Sequence, residues 1–338
     1  MEKDIREIFI IAEVGNTHEG SLELARCFIK AVADCGADAV KFQTHIFDAE
    51  SLPDAPNPPY FRDESRKRYF ERTAFEPEQY ADLIRYTEQE CGLEFISSAF
   101  SATAVELLED VGVKRYKIPS GEVTNTPLLE KIARTGKPVL LSSGMSNWKE
   151  LDRAVEVLKG NGCGDLTVLQ CSSFYPCPPQ KTGLNIIQEL QNRYGIKTGF
   201  SDHTMGVWAA IAAVVLGANV IEKHFTLSQS MYGSDAKHSL EPDGFKRFVE
   251  AIREVSLAVG NSVDKDAIAD ELQDMKRIFE KSIVSGQDIP EGIQVNADML
   301  CYKKPGDGLS PDRVGDVVGK TAKIDIAKNT QIRMEMLQ

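Results

Sequence analysis

From residue 8 to about residue 260 the chain alternates between short apolar runs rich in β-branched residues and longer amphipathic stretches with helical spacing. The apolar runs predict eight strands, over 8–13, 38–43, 94–98, 114–118, 138–142, 166–171, 196–200 and 219–225. A helix is predicted after each strand, over 21–35, 77–91, 101–110, 126–135, 147–159, 184–194, 206–216 and 242–259. Eight such units predict an α/β fold of the (β/α)8 TIM barrel type, with an open doubly wound sheet as the alternative.

Two segments depart from this alternation. Residues 45–75 form a proline-containing and then charged insertion in the second unit, which is either a functional lid or structured loop at the barrel mouth, or a surface ornament. After the predicted barrel, residues 1–262, a charged stretch with helical spacing over 263–281 reads as a linker. Residues 282–338 then show short β runs separated by turn sequences, which predicts a small β-rich domain.

Composition narrows the class of protein. The formal net charge of -12 argues against a nucleic-acid binder, because neutralising phosphates needs a basic face. No apolar run approaches the roughly 18 residues that a membrane span requires, so no membrane partner is expected. Seven scattered cysteines without a C-x-x-C spacing indicate reduced thiols rather than disulfides, and the acidic start MEKDIREIFI does not resemble a signal peptide. We therefore expect a cytoplasmic location.

Polar side chains recur where the predicted strands end, which is where barrel enzymes carry their functional groups. The candidates are Glu13, Lys41, Gln43, Ser98, Lys117, Ser120, Glu122, Ser142, Tyr175, Ser201, His203, Glu222 and His224. The two lysines and the serines among them predict an electropositive, hydroxyl-rich pocket for a phosphate and a carboxylate. A lysine Schiff base is the alternative use of such lysines.

Two of the five histidines fall on neighbouring predicted strands, His203 after the seventh and His224 at the end of the eighth. Strand alternation puts Glu222 and His224 on one face, for which a buried salt bridge of Glu222 is the alternative explanation. Together the histidines predict ligands of one divalent ion with open positions, such as Mn, Zn, Co or Fe. The remaining histidines, His18, His45 and His238, are expected to be solvated loop residues, with an approach to the same barrel mouth as the alternative.

Several longer motifs occur in a fixed order along the chain. They are IAEVGNTHEGSLELA, CGADAVKFQTH, KIPSGEVTN, LLSSGMS, LQCSSFYPCPP, GFSDHTMG, VIEKHFTL and GSDAKHSLEP. In these motifs the chain resembles the sialic acid synthases, which condense phosphoenolpyruvate with an N-acyl sugar. Its carboxyl-terminal module is similar to their antifreeze-like (SAF) domain.

The resemblance implies a (β/α)8 barrel, a homodimer with a swapped SAF domain that reaches over the partner's active site, and a divalent ion on His203 and His224. That ion would most often be Mn²⁺, with Mg²⁺, Co²⁺ or Zn²⁺ as alternatives. Phosphoenolpyruvate would be held by Lys41, Ser98, Lys117, Ser120, Ser142 and Ser201. N-acetylmannosamine or a related sugar would contact Gln43, Tyr175, Asp235 and Lys304. The candidate catalytic carboxylates are Glu13, Glu122 and Glu222.

Three positions depart from the pattern of the resembled family. Lys304 stands where an arginine usually meets the N-acyl group, Ser173 where a relative carries Asn, and Ala99 where Pro is usual. A lysine lacks the planar fork of donors of an arginine, so this sugar contact is weakened or altered.

The expected activity is that of an N-acetylneuraminate synthase that releases phosphate. The alternatives with the same chemistry are a legionaminic or pseudaminic acid synthase acting on a 2,4-diacetamido-2,4,6-trideoxyhexose, and an N-acetylneuraminate 9-phosphate synthase. Alternatives of another class are a Schiff-base aldolase and a non-catalytic glycan-binding or ice-binding protein.

Overall fold

The structure is a computed structural model that describes residues 7–57, 64–233 and 235–338. The chain divides into two compact units, the first ending at Asn261 and the second spanning Ser262–Gln338.

The first unit is built around eight parallel strands that close into a barrel in chain order. They are β1 (Phe9–Gly15), β2 (Ala39–Thr44), β3 (Glu94–Ala99), β4 (Tyr116–Ile118), β5 (Val139–Ser142), β6 (Leu166–Cys171), β7 (Lys197–Asp202) and β8 (Val220–His224). Strand β1 pairs with both β2 and β8, so the sheet has no free edge. The predicted (β/α)8 barrel is confirmed, and the open doubly wound sheet is excluded.

The helices of the first unit follow the strands. They are α1 (Leu22–Asp34), α2 (Phe47–Glu50), α3 (Arg66–Thr73), α4 (Pro77–Arg85), α5 (Ala102–Asp110), α6 (Thr126–Ala133), α7 (Trp148–Gly160), α8 (Asn185–Tyr194), α9 (Trp208–Val215) and α10 (Pro242–Gly260). Side chains of Ser21, Ser101, Asn125 and Asn147 accept hydrogen bonds from first-turn amides, which fixes where four of these helices begin. No helix in the described ranges is both long and apolar enough to cross a bilayer.

The insertion carries two helices that the hydrophobic pattern did not predict, α2 and α3. Its carboxyl-terminal end is anchored to the loop after β1, where Arg72 bridges Glu64 and Glu19, with contacts as short as 2.5 Å. The same loop approaches α3 so closely that a Cβ atom at Gly20, where φ is +79°, would lie 2.0 Å from the carbonyl oxygen of Arg72. Only glycine fits there.

The barrel interior contains an apolar layer made of one inward-facing residue from each of six strands, namely Ile11, Ala39, Ile96, Leu140, Leu169 and Val220. Successive inward positions on a strand are two residues apart. The next inward residues are therefore Glu13, Lys41, Ser98, Ser142, Cys171 and Glu222, all of which line one cavity. The apolar layer closes the barrel below these polar residues and sets the depth of the polar layer.

The second unit begins with α11 (Lys265–Glu271) and α12 (Gln273–Phe279). Strands β9 (Ser282–Ser285) and β10 (Leu300–Lys303) pair in antiparallel fashion. Isolated bridges and short 3-10 turns join the rest around a separate apolar core that includes Ile283, Val317 and Ile332. This small β-rich module has its own core, as the turn-rich sequence predicted.

Candidate active site

A cavity of about 620 Å³ opens at the carboxyl ends of the barrel strands. Each of the eight strands contributes to its wall, either from its last inward residue or from the loop that follows. The cavity brings together the candidate residues predicted within the first unit, Glu13, Lys41, Gln43, Ser98, Lys117, Ser120, Glu122, Ser142, Tyr175, Ser201, His203, Glu222, His224 and Asp235. Lys304 lies in the second unit, with its ammonium 4.8 Å from the ring centroid of Phe279.

Lys117 and Glu222 form the centre of the polar layer at the bottom of the cavity, which we call the cavity floor. The Lys117 ammonium donates to both carboxylate oxygens of Glu222, at 2.9 and 2.7 Å, and the Ser201 hydroxyl donates to Oε1 at 3.0 Å. Burial alone would raise the pKa of Glu222, but the ammonium groups of Lys117 and Lys41 outweigh it and lower the pKa to about 2. Glu222 therefore stays ionised, and the buried salt bridge considered from the sequence is present.

A second ion pair lies beside the first. The Lys41 ammonium is 2.5 Å from Glu13 Oε2 and 3.3 Å from the Ser98 hydroxyl, and Gln43 donates to Glu13 Oε1 at 2.8 Å. Burial raises the pKa of Glu13, with a further contribution from Glu222 and opposition from Lys41. Burial alone would lower the pKa of Lys41, but the carboxylates of Glu13 and Glu222 outweigh it and raise the pKa above its ordinary value. The group therefore stays a charged ammonium. A charged ammonium suits anion binding better than Schiff-base formation.

Glu122 is the third candidate carboxylate, and its oxygen Oε2 accepts from the Asn125 amide at 2.7 Å. Partial burial raises the pKa of Glu122, and the nearby carboxylate of Glu50 adds to the increase. Glu13 and Glu122 thus differ from Glu222. They hold their protons more tightly than free carboxylates, which is the property needed of groups that exchange protons near neutral pH.

The two candidate metal ligands face each other, with ring centroids 5.4 Å apart. His203 Nδ1 lies 2.7 Å from the carbonyl oxygen of Ser172, which can only accept, so Nδ1 carries the proton and Nε2 keeps its lone pair. Burial lowers the pKa of His224 to about 4, which keeps this imidazole neutral at physiological pH. Tyr175 stacks on His203 at a centroid distance of 4.2 Å.

This donor set fits a divalent ion bound in an open site. Imidazole nitrogens are suitable ligands for Mn, Co, Zn or Fe. Within the described residues no cluster of three His, Cys, Asp or Glu side chains is arranged to hold a metal, so water or substrate would complete the coordination. Five carboxylates, three cations and four histidines line the cavity.

The insertion forms one wall of the cavity, which agrees with a functional role for residues 45–75 at the barrel mouth rather than with a surface ornament. Its lining residues are His45, Glu50, Ser51, Arg66, Tyr69 and Phe70. The expectation that His45 and His18 are solvated is wrong. The His45 side chain is only 8% exposed, and its ring lies between Phe70 and Phe100, at centroid distances of 3.8 and 3.9 Å.

His18 lies outside the cavity and is 1% exposed, with its ring stacked on Phe75 at 4.5 Å. Asp202 is another strand-end group that does not reach the cavity. It ends β7 on the outer side of the barrel, where its carboxylate is 2.9 Å from the Lys223 ammonium. Strand alternation explains this position, because Ser201 and Glu222 occupy the inward positions beside them.

The fold and the site define a barrel enzyme whose cavity carries ammonium, hydroxyl and imidazole groups above an apolar layer. The chain belongs to the NeuB family, whose model matches residues 28–264, and an SAF domain model matches residues 280–338. The predicted sialic acid synthase resemblance is confirmed.

Named relatives agree with this assignment over nearly the whole chain. The chain is 37% identical to the N,N'-diacetyllegionaminic acid synthase of Campylobacter jejuni, across 97% of this chain and 100% of that protein. It is 36% identical to the N-acetylneuraminate-9-phosphate synthase of Homo sapiens, across 97% and 92%. The crystal structure of the N-acetylneuraminic acid synthetase from Leptospira borgpetersenii superposes with a TM-score of 0.70 at 29% identity, covering 80% of this chain and 92% of that one.

Proposed function

We propose that the protein condenses phosphoenolpyruvate with an N-acyl sugar aldehyde to form a nonulosonic acid, with release of phosphate. The observation that carries this proposal is the pair of buried ammonium groups, Lys41 and Lys117, beside serine hydroxyls in the cavity that also holds the histidine pair. Membership of the NeuB family supports the same reaction class. In the reaction, C3 of phosphoenolpyruvate forms a bond to the aldehyde carbon, water adds at C2, and the C2–O bond to phosphate breaks.

Phosphoenolpyruvate is the anionic substrate, and we assign its binding to the floor of the cavity. The proposed contacts are Lys41, Ser98, Lys117, Ser120, Ser142 and Ser201. Gly144 supports this assignment, because a Cβ atom there would lie 2.5 Å from the hydroxyl oxygens of both Ser120 and Ser173. The backbone at Gly144 therefore packs directly against the Ser120 hydroxyl, which is one of the proposed phosphoenolpyruvate contacts.

We propose that the aldehyde lies over the histidine pair. His203 and His224 would hold a divalent ion, for which Mn²⁺ remains our prediction, and the bound ion would polarise the aldehyde oxygen as a Lewis acid. Gln43, Tyr175 and Asp235 are the proposed contacts of the sugar chain. The hydrogen bond from Gln43 to Glu13 fixes the orientation of the Gln43 amide toward the cavity.

The carboxylates take different proposed roles because their environments differ. Glu13 and Glu122, with raised pKa values, are the candidates for orienting the attacking water and moving its proton. Glu222, with a lowered pKa, is suited to holding the Lys117 ammonium in place rather than to carrying a proton. Loss of Glu222 would leave that ammonium without its buried partner.

The predicted homodimer with a swapped SAF domain, the contact of Lys304 with the sugar and the cytoplasmic location remain predictions. So does N-acetylneuraminate as the product, since the identities to the legionaminic acid synthase and the 9-phosphate synthase, 37% and 36%, do not separate the two sugars.

Phosphate release from phosphoenolpyruvate tests the proposal. The assay pairs phosphoenolpyruvate with N-acetylmannosamine, its 6-phosphate, or a 2,4-diacetamido-2,4,6-trideoxyhexose, in the presence of Mn²⁺ and again after dialysis against EDTA. We expect release with at least one sugar, its loss on chelation and its recovery with added Mn²⁺. No release with any of the sugars would refute the synthase, and covalent trapping of a sugar by borohydride would identify a Schiff-base aldolase instead.

A further inference from the structure

The wall that the insertion contributes to the cavity contains two charged side chains, Glu50 and Arg66, each with one buried atom that forms no hydrogen bond. The Glu50 side chain is 8% exposed, and its Oε2 atom is buried and accepts no hydrogen bond. The Nε atom of Arg66 is buried as well and donates none. Among the contacts of the described residues, the Arg66 guanidinium forms no ion pair, although Glu50 lines the same cavity.

Glu50 is nevertheless held firmly. Its other oxygen, Oε1, lies 2.8 Å from His45 Nδ1, and His45 Nε2 lies 3.1 Å from the Gln43 amide oxygen. The His45 ring is stacked between Phe70 and Phe100, with interplanar angles of 4° and 22°. His45 thus fixes Glu50 through one of its oxygens and leaves the second oxygen unused.

Arg66 is held by its helix. It is the first residue of α3, and its backbone amide donates to the Asn57 side chain at 2.8 Å. The far end of α3 is anchored through Arg72 to Glu64 and Glu19. The Arg66 guanidinium therefore starts from a fixed backbone.

A buried acceptor without a donor and a buried donor without an acceptor each cost free energy until a ligand supplies the missing partner. A second phosphate or carboxylate is unsuitable, because the Glu50 and Glu122 carboxylates already repel each other there. An amine is disfavoured by Arg66. A secondary amide offers one N–H and one C=O on opposite sides, and its methyl group can pack against Phe70 and Phe100, which line the cavity.

The location of this wall fits a distal group of the sugar. Strand β1 lies between β8, which carries His224, and β2, which carries Gln43. Two interstrand spacings of about 4.8 Å separate β8 from β2 by roughly 10 Å. A six-carbon aldehyde that starts at the histidine pair extends over this distance, so its far substituents meet the insertion.

We propose that Glu50 and Arg66 form a subsite for a second acylamido group of the sugar, with Glu50 Oε2 accepting from its N–H and Arg66 donating to its carbonyl. His45 is the positioning residue of this subsite. The inference rests on the proposed function and deepens it, since it favours a 2,4-diacetamido-2,4,6-trideoxyhexose over N-acetylmannosamine.

The test uses Glu50→Gln and Arg66→Lys in the full-length protein. Glutamine can still accept from His45, but it turns an N–H toward the amide N–H of the substrate. Lysine keeps the charge of Arg66 but loses the directed Nε–H. For each variant the Michaelis constant is measured by phosphate release with the diacetamido sugar and, separately, with N-acetylmannosamine, and binding of each sugar without phosphoenolpyruvate is measured by calorimetry.

We expect the Michaelis constant for the diacetamido sugar to rise about tenfold or more in each variant, since each loses one buried hydrogen bond. The constants for phosphoenolpyruvate and N-acetylmannosamine should change by less than about twofold. The matched controls are Asp48→Asn and Arg68→Lys, which change exposed neighbours on α2 and α3 and should leave every constant unchanged.

An equal rise with both sugars, or no rise with either, would overturn the subsite. Thermal unfolding midpoints within 2 °C of wild type, as an approximate limit for intact packing, would show that the variants are folded. If the wild-type protein releases phosphate with neither sugar, the proposed function fails. Calorimetry then tests the subsite alone, through tighter binding of the diacetamido sugar that Glu50→Gln abolishes.

Discussion

The strand-borne floor of the cavity and the insertion-borne wall treat their charged groups in opposite ways. On the floor, Lys117 is bound to both oxygens of Glu222, and Lys41 is 2.5 Å from Glu13. On the wall, one oxygen of Glu50 and the Nε atom of Arg66 are buried without partners. The ion pairs of the floor therefore form without a ligand, whereas the proposed subsite on the wall would be completed by one.

This difference separates chemistry from selectivity. Groups on barrel strands are fixed by the ladder on both sides, so they can hold the geometry that a reacting phosphate and aldehyde require. Groups on an insertion can change without disturbing that ladder. The chain is 37% and 36% identical to two relatives whose names carry different sugars, and each match covers 97% of this chain.

The largest expected effect comes from removing the histidine pair of the cavity. We predict that His203→Ala and His224→Ala each lower the rate of phosphate release by about 10³-fold, because several kcal/mol of charge stabilisation at the aldehyde oxygen is lost. Elemental analysis after dialysis against Mn²⁺ should find metal in the wild-type protein and little in either variant.

The control for this comparison is His238→Ala. His238 lines the same cavity, and its Nδ1 atom has no hydrogen-bond partner, yet it is not a proposed ligand. That variant should keep its bound metal. Metal-free wild-type protein, or loss of the fold in both histidine variants, would contradict the assignment of the pair as ligands.

The residues of the cavity floor could be predicted from the sequence because every second residue of a barrel strand faces the interior. Ile11 and Glu13, or Val220 and Glu222, are successive inward positions of a strand whose pattern is visible in the chain. Closure of the barrel then brings His203 and His224 together, although twenty residues lie between them.

The wall could not be predicted in this way. Helix α2 has only four residues, Phe47–Glu50, so no helical period is long enough to detect. The burial of His45 depends on Phe70 and Phe100, which come from separate segments, and the hydrophobic pattern does not show which loop they cover. The hydrophobic pattern does not show the burial of His18 for the same reason, since its ring stacks on Phe75, at the far end of the insertion.

The burial of His18 predicts that the free energy of unfolding depends on pH. Burial lowers the pKa of His18 to about 3, against an ordinary value of 6.5. The unfolded chain therefore binds this proton at a higher pH than the folded protein, and stability falls as the pH drops from about 6.5 towards about 3. By pH 5 the loss from this group should reach about 2 kcal/mol, at about 1.4 kcal/mol for each pH unit.

Urea unfolding at pH 7.5 and pH 5 measures this loss, with His18→Phe as the comparison. The phenylalanine ring can still stack on Phe75, but it cannot accept the hydrogen bond that the Gly20 amide donates to His18 Nδ1 at 3.2 Å. We expect the variant to be less stable than the wild type at pH 7.5 and to lose about 2 kcal/mol less on acidification. An identical loss in both proteins would show that His18 does not govern the acid response.

The smallest expected effect concerns Lys304, which belongs to neither the floor nor the wall. Its ammonium lies over the Phe279 ring within the second unit, and a lysine presents a point charge where an arginine would present a planar fork. If the proposed contact with the sugar exists, Lys304→Arg should lower the Michaelis constant for the sugar about threefold without changing the turnover rate, through one added hydrogen bond. Lys303→Arg is the matched control, because Lys303 is bonded to Asn329 instead. An unchanged Michaelis constant in Lys304→Arg would remove this residue from the sugar site. Selectivity for the sugar would then be left to the barrel unit, where the insertion-borne wall is the proposed region of contact with the distal groups of the sugar.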